Sequence, residues 1–126
     1  MKIQFVKPPL MSSVNKATIH LSGKLGFSSG ATKKLGISER RFIKVGINKE
    51  EKNDANLYVM VLDAVDEETI IISKAGNYYY ANTKLLFDDM GIDYRSIKVI
   101  YDIVEIEYEG REMYKFIRRD KDRKKK

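Results

Sequence analysis

Residues 22–39 read SGKLGFSSGATKKLGISE, a stretch with four glycines that directly follows the segment ATIHL (17–21). Ala17–Leu21 is rich in residues that favour strands, and Gly23 breaks it at a turn. Lys24–Phe27 predicts a second short strand, with Leu25 and Phe27 on one face by the two-residue period. Ser28 or Ser29 can accept hydrogen bonds from the free amides of a following helix and so serve as its N-cap. That helix is brief, from Gly30 to Leu35. Ala31 and Leu35 face inward, Lys33 and Lys34 face outward, and Gly36 can take the left-handed backbone that ends a helix. Strands at Arg41–Ile47 and Asn56–Ala64, joined by the polar loop NKEEKND (48–54), complete a ββαββ unit.

The unit recurs. Thr18-Ile19 aligns with Thr69-Ile70, Gly23 with Gly76, Gly36-Ile37 with Gly91-Ile92, and Ile43-Lys44-Val45 with Ile97-Lys98-Val99, which sets Tyr58 opposite Tyr114. In the second copy the expected elements are strands Thr69–Ser73 and Tyr78–Ala81, a helix at Thr83–Met90 capped by Asn82 and closed by Gly91, then strand Ile97–Tyr108. Glu109-Gly110 suits a tight hairpin turn that returns the chain through Met113–Arg118. The organisation read from this is an N-terminal strand or arm (1–16), a basic first copy (17–64), an acidic, tyrosine-rich second copy (65–119) and a disordered basic tail (120–126). A chain of 126 residues fits one compact domain, or two small halves sharing one core.

Composition narrows the function classes. Apolar residues make up 43% and charged residues 33%, enough for a core and a water-facing surface. No run approaches the roughly 18 apolar residues of a membrane helix, and MKIQFVKPPLMSS lacks the apolar stretch of a signal peptide, so a cytoplasmic location with no membrane partner is expected. Without cysteine there is no disulfide framework, thiolate nucleophile or thiolate zinc site. The net charge of +6 is uneven: +8 over residues 1–50, −5 over 51–119 and +3 over 120–126. Such a field points to an anionic partner for the first half.

The residues GKLGFSSGATKKLGISERRFIKV (23–45) resemble the core of the AbrB/MazE/MraZ-type swapped-hairpin proteins. The shared pattern is a Gly-Lys turn at Gly23-Lys24, a strand at Leu25–Phe27, a short helix at Ala31–Leu35 ending in Gly36-Ile37, and a strand within Ser38–Val45. Ser28 stands where family members usually have proline, Gly26 where an apolar residue is common, and Asn77 replaces the basic residue in the second copy. The resemblance implies a β-rich α+β fold: two tandem ββαββ units, an internal duplication, interleaved into a small swapped-hairpin-like barrel with two short helices. It also implies duplex DNA binding, by a transcriptional regulator or antitoxin-like repressor that grips phosphates through its first copy. Carried over by position, Lys24 matches the arginine after the turn glycine and Lys33 a helix arginine, with Lys34 beside it. Lys16 and Lys7 can extend the positive face, and Arg40 and Arg41 stand at a strand start. Lysine is a point charge and not a bidentate fork, so phosphate contact is expected over base reading. One-copy relatives form homodimers, whereas two copies in one chain can close the barrel internally.

Two other readings use different residues. The acidic second copy and its tyrosines can form the contact surface of a structural or protein-interaction module from a mobile element or phage. Alternatively, Tyr78, Tyr79 and Tyr80 can stack on the bases of a single-stranded nucleic acid. The strand period sets Tyr78 and Tyr80 on one face and Tyr79 on the other, which also fits core or interface packing. His20 has no second histidine at ligand spacing, and Asp63, Asp66, Glu67 and Glu68 lack the spaced ligands of a cation loop, so no metal or cofactor is expected. No catalytic constellation is present, since neither Ser28 nor Ser29 has an adjacent base and no nucleotide-binding fingerprint occurs. The expectation is a binding protein and not an enzyme.

Overall fold

The computed structural model describes residues 1–5, 15–51 and 53–122. Its elements are β1 (Lys16–Ile19), β2 (Leu25–Phe27), α1 (Ser29–Leu35), β3 (Phe42–Gly46), β4 (Leu57–Leu62), β5 (Thr69–Ala75), β6 (Tyr78–Ala81), α2 (Lys84–Asp89), β7 (Ile97–Tyr108) and β8 (Arg111–Asp122). All strand pairings are antiparallel, and the strands close into a ring in the order β1-β2-β6-β5-β3-β4-β8-β7. Closure removes the unpaired edges that an open sheet of short strands would expose. Hairpins β1β2 and β3β4 alternate round the ring with β5β6 and β7β8, so every hairpin is flanked by two from the other half of the sequence.

The interior follows from the strand period. Ala17 and Ile19, Leu25 and Phe27, Ile43, Leu57 and Val59, Ile72, Ala81, Val99 and Tyr101, and Phe116 are all buried in one cluster. An eight-stranded barrel is just wide enough for such side chains to fill. The helices cover opposite ends. α1 leaves β2 at the end where β1 begins, fixed by the Ser28 amide donating to the Lys16 carbonyl (2.9 Å), and buries Ala31 and Leu35. At the other end, where the β1–β2 turn lies, α2 buries Phe87, and the Thr83 hydroxyl donates to the Gly23 carbonyl (2.9 Å).

Local rules explain most boundaries. Ser28 caps α1: its hydroxyl oxygen accepts from the amides of Ala31 and Lys16, each at 3.1 Å. Both helices end alike. Gly36 (φ 66°) and Gly91 (φ 75°) take left-handed backbone, and the next residues reach back, Ile37 N–H to the Thr32 carbonyl and Ile92 N–H to the Phe87 carbonyl, each at 3.1 Å. Glu109-Gly110 makes the tight turn between Tyr108 and Arg111.

Two local expectations are corrected. Thr83, not Asn82, holds the N-cap position of α2, without a side-chain cap bond. Thr83 is fully buried, and its hydroxyl is satisfied by the Gly23 carbonyl, while Asn82 Nδ2 donates across to Ser73 Oγ (3.1 Å). The segment read as a disordered tail is strand as far as Asp122, because β7 extends back to Ile97 and pairs Asp120 with Val99 and Lys121 with Lys98. Residues 123–126, and residues 6–14 of the arm with Lys7, lie outside the described residues.

Tyr101 packs at the barrel centre, 6.1 Å from Phe116 between ring centres, and among the described residues its buried hydroxyl has no hydrogen-bond partner. A buried, unpaired hydroxyl is destabilising, so Tyr101→Phe is expected to raise stability by about 1 kcal/mol in urea unfolding. Burial also pushes the phenol from 10.0 up to about 12. The unfolded chain therefore loses this proton first, and wild type should lose stability as the pH rises from 10 towards 12. Tyr101→Phe should lose less over that range. An unchanged alkaline profile would show that the phenol is hydrated in the folded state.

Candidate nucleic-acid interface

The alternation that fills the barrel also builds its outer face. With Ala17 and Ile19 inward, Lys16, Thr18 and His20 turn out from β1 and the turn after it; with Leu25 and Phe27 inward, Lys24 and Gly26 turn out. Ile100, Thr18, Gly26 and Tyr80 are successive cross-strand partners, so β7, β1, β2 and β6 present one continuous surface.

Aromatic rings and cations occupy it together. Lys24 Nζ lies 4.8 Å from the centre of the Tyr80 ring, within the range of a cation–π contact. Tyr80 and Tyr78 stack with ring centres 6.5 Å apart and planes inclined by 26°. His20 Nε2 and the Tyr78 hydroxyl share a hydrogen bond, with their rings 5.8 Å apart. Gly26 permits this row, because a Cβ there would overlap the Tyr78 hydroxyl and His20 Nε2. Tyr78 remains 39% exposed, and its partial burial raises the phenol pKa above the ordinary value. Lys16 and Lys98 border a hollow of about 420 Å³ beside His20 and Tyr78.

The acid on this face is already bound. Arg119 donates Nε and Nη2 to the two carboxylate oxygens of Asp102 (2.8 and 3.0 Å), and this bonding holds the Asp102 carboxyl below its ordinary range. Lys16, Lys24 and Lys98 therefore set the sign of the local field.

Of the seven cations singled out from sequence, Lys7 lies outside the described residues and the other six divide by position. Lys16 and Lys24 share this face. Lys33 and Lys34 are exposed in the last turn of α1, at the opposite end of the barrel from Lys24. The Lys34 carbonyl accepts from the Tyr114 hydroxyl (3.3 Å), and the Lys34 charge acts on Glu105 and Glu112. Arg40 donates Nη1 to the Val61 carbonyl (3.2 Å) and faces Glu112. Arg41 is exposed ahead of β3, and its carbonyl accepts from the Ile72 amide (2.8 Å). Lys98 was not singled out, because only the β1–β7 register brings it beside His20.

The acidic turn between β4 and β5 has a structural partner: Lys44 Nζ lies 2.8 Å from Asp66 and 3.5 Å from Glu68, which holds the Asp66 carboxyl below its usual range. Among the described residues no group of three or more acidic or histidine side chains is arranged to hold a metal ion. A second hollow, about 620 Å³, is lined in part by Asp54, Arg118 and Asp120, which are bonded to neighbours: Tyr58 donates to Asp54 at 2.6 Å and Arg118 to Asp120 at 2.7 Å. No helix among the described residues is long and apolar enough to cross a membrane. No protein-family model matches the chain, and no curated protein or solved structure matches it.

Proposed function

We propose that the chain is a duplicated barrel of the swapped-hairpin type that binds nucleic acid by its phosphates, as a regulator of the class that residues 23–45 resemble. The duplication is supported by the strand order: exchanging β1–β4 for β5–β8 turns the set of neighbouring strands into itself. The matching helix ends at Gly36-Ile37 and Gly91-Ile92 point the same way. Because both copies lie in one chain, the reading needs no homodimer to close the ring.

The observation that carries the binding function is the grouping of Lys16, Lys24 and Lys98 on an outer face whose carboxylate, Asp102, is taken up by Arg119. A phosphate chain laid there meets the point charges of Lys24 and Lys98, and that of Lys16 beside an Asp102 whose carboxylate is already bonded to Arg119. The grip is thus assigned to the strand face and not to α1, whose Lys34 looks toward Glu105 and Glu112.

Fluorescence anisotropy with a labelled mixed-sequence oligonucleotide, as duplex and as single strand, tests this at two salt concentrations. Lys16→Gln/Lys24→Gln/Lys98→Gln is expected to weaken binding at low salt by about 100-fold and to flatten the salt slope by close to one unit per lost phosphate contact. Lys33→Gln/Lys34→Gln should bind as wild type does. Absence of binding to both forms at low salt, or a triple variant with the wild-type slope, would overturn the reading.

A further inference from the structure

We propose that the row His20–Tyr78–Tyr80, crossed by Lys24, is a base-stacking platform and that the preferred ligand is single-stranded nucleic acid. This rests on the nucleic-acid reading above and specifies its ligand class.

Lysines alone would serve any polyanion. What this face adds is aromatic area open to solvent: Tyr78 and Tyr80 stack with planes 26° apart, and the hydroxyl end of Tyr78 lies over Gly26 with 39% of the residue exposed. This tyrosine pair on the outer face, Tyr78 exposed and Tyr80 half-buried, gains little from core burial, whereas every nucleobase has a π-face that can stack on an open ring. The His20 bond to the Tyr78 hydroxyl fixes the ring, so less freedom is lost when a base arrives. Lys24 over Tyr80 sits at one end of the row, and Lys16 and Lys98 border the hollow at the other. Phosphates on both sides of the stacked bases therefore meet a cation. A duplex keeps its bases paired and could reach the rings only by unstacking, at a cost of a few kcal/mol.

Gly26 is the positioning residue. Alanine there is compatible with the strand, and the overlap it creates falls on the far ends of two surface side chains, Tyr78 and His20, which can swing outward. Gly26→Ala therefore displaces the ring while the barrel persists.

The test titrates labelled single-stranded DNA of about 12 nucleotides, within the span one small barrel covers, against its duplex and an abasic strand of equal charge. Wild type is expected to bind the single strand most tightly and to lose roughly 10-fold or more on the abasic strand. Tyr78→Leu, Tyr80→Leu and Gly26→Ala should each lose a similar factor on the single strand and little on the abasic one. Tyr80→Phe, which keeps the ring, should bind more tightly than Tyr80→Leu. Thermal melts that match wild type separate lost stacking from lost folding. Equal affinity for duplex, abasic and single strands, with the tyrosine variants unaffected, would overturn stacking and leave phosphate binding standing. Equal displacement of the strand by polyglutamate at matched charge would reduce the face to a general polyanion surface and also overturn stacking. Absence of binding to all three strands would remove the parent reading as well.

Discussion

Replacing Phe116 by alanine is expected to destabilise the protein by about 3–5 kcal/mol, seen as a shift of the urea unfolding midpoint without a change of slope. Phe116 is fully buried on β8, meets Phe27 edge-on at 6.5 Å between ring centres, and lies 6.1 Å from Tyr101. Its backbone partners are Leu57 on β4 and Ile103 on β7. One ring thus touches β2 of the first half and β7 of the second. The surrounding wall is a closed set of hydrogen-bonded strands, which cannot collapse far into the space a phenyl ring leaves. If the loss stayed under about 1 kcal/mol, the two halves would not share the single interior described.

Gly23→Ala should be nearly as damaging, at about 2–4 kcal/mol, from three separate causes. At φ 87° a side chain is strained whatever the space around it. The added Cβ would also lie 2.7 Å from Lys84 Cγ, 2.9 Å from Lys84 Cβ and 2.9 Å from the Tyr94 hydroxyl. The end of Lys84 can swing away, but its Cβ and the buried Tyr94 cannot. Moving the turn to relieve the overlap stretches the Thr83 hydroxyl bond to the Gly23 carbonyl, which leaves a buried polar group poorly satisfied. Faster hydrogen exchange is expected at the amides of α2 and of the segment around Tyr94. A variant within about 0.5 kcal/mol of wild type would show that α2 does not rest on this turn.

Elements governed by local physics were legible. The glycine after each helix, the Ser28 cap, the turn at Glu109-Gly110 and the inward pair Leu25 and Phe27 each depend on neighbours a few residues away. The β-rich closed ring and its two short helices agree with the coarse architecture that the resemblance of residues 23–45 implied. Asn82 misled because its residue type suits a cap, while the partner that engages Thr83 comes from the distant β1–β2 turn. Asp120–Asp122 misled because charge suggests a solvated tail, whereas a strand needs only backbone partners, and Ile97–Val99 supply them.

For the candidate interface the division is sharper. By itself the sequence determined an excess of cations in the first half, the period that makes Tyr78 and Tyr80 share a face, and the turn that carries Lys24. Only the tertiary structure decided that this shared face points outward, that Lys24 lies on Tyr80, that Gly26 makes room for Tyr78, and that Lys34 belongs to the opposite end beside Glu105 and Glu112. The reason is the range of the forces. Turns, caps and alternation are set by sterics and hydrogen bonds within a few residues, but which face of a short strand is buried depends on the strand across from it. Here that partner, Leu25 opposite Ala81, comes from the other half of the chain.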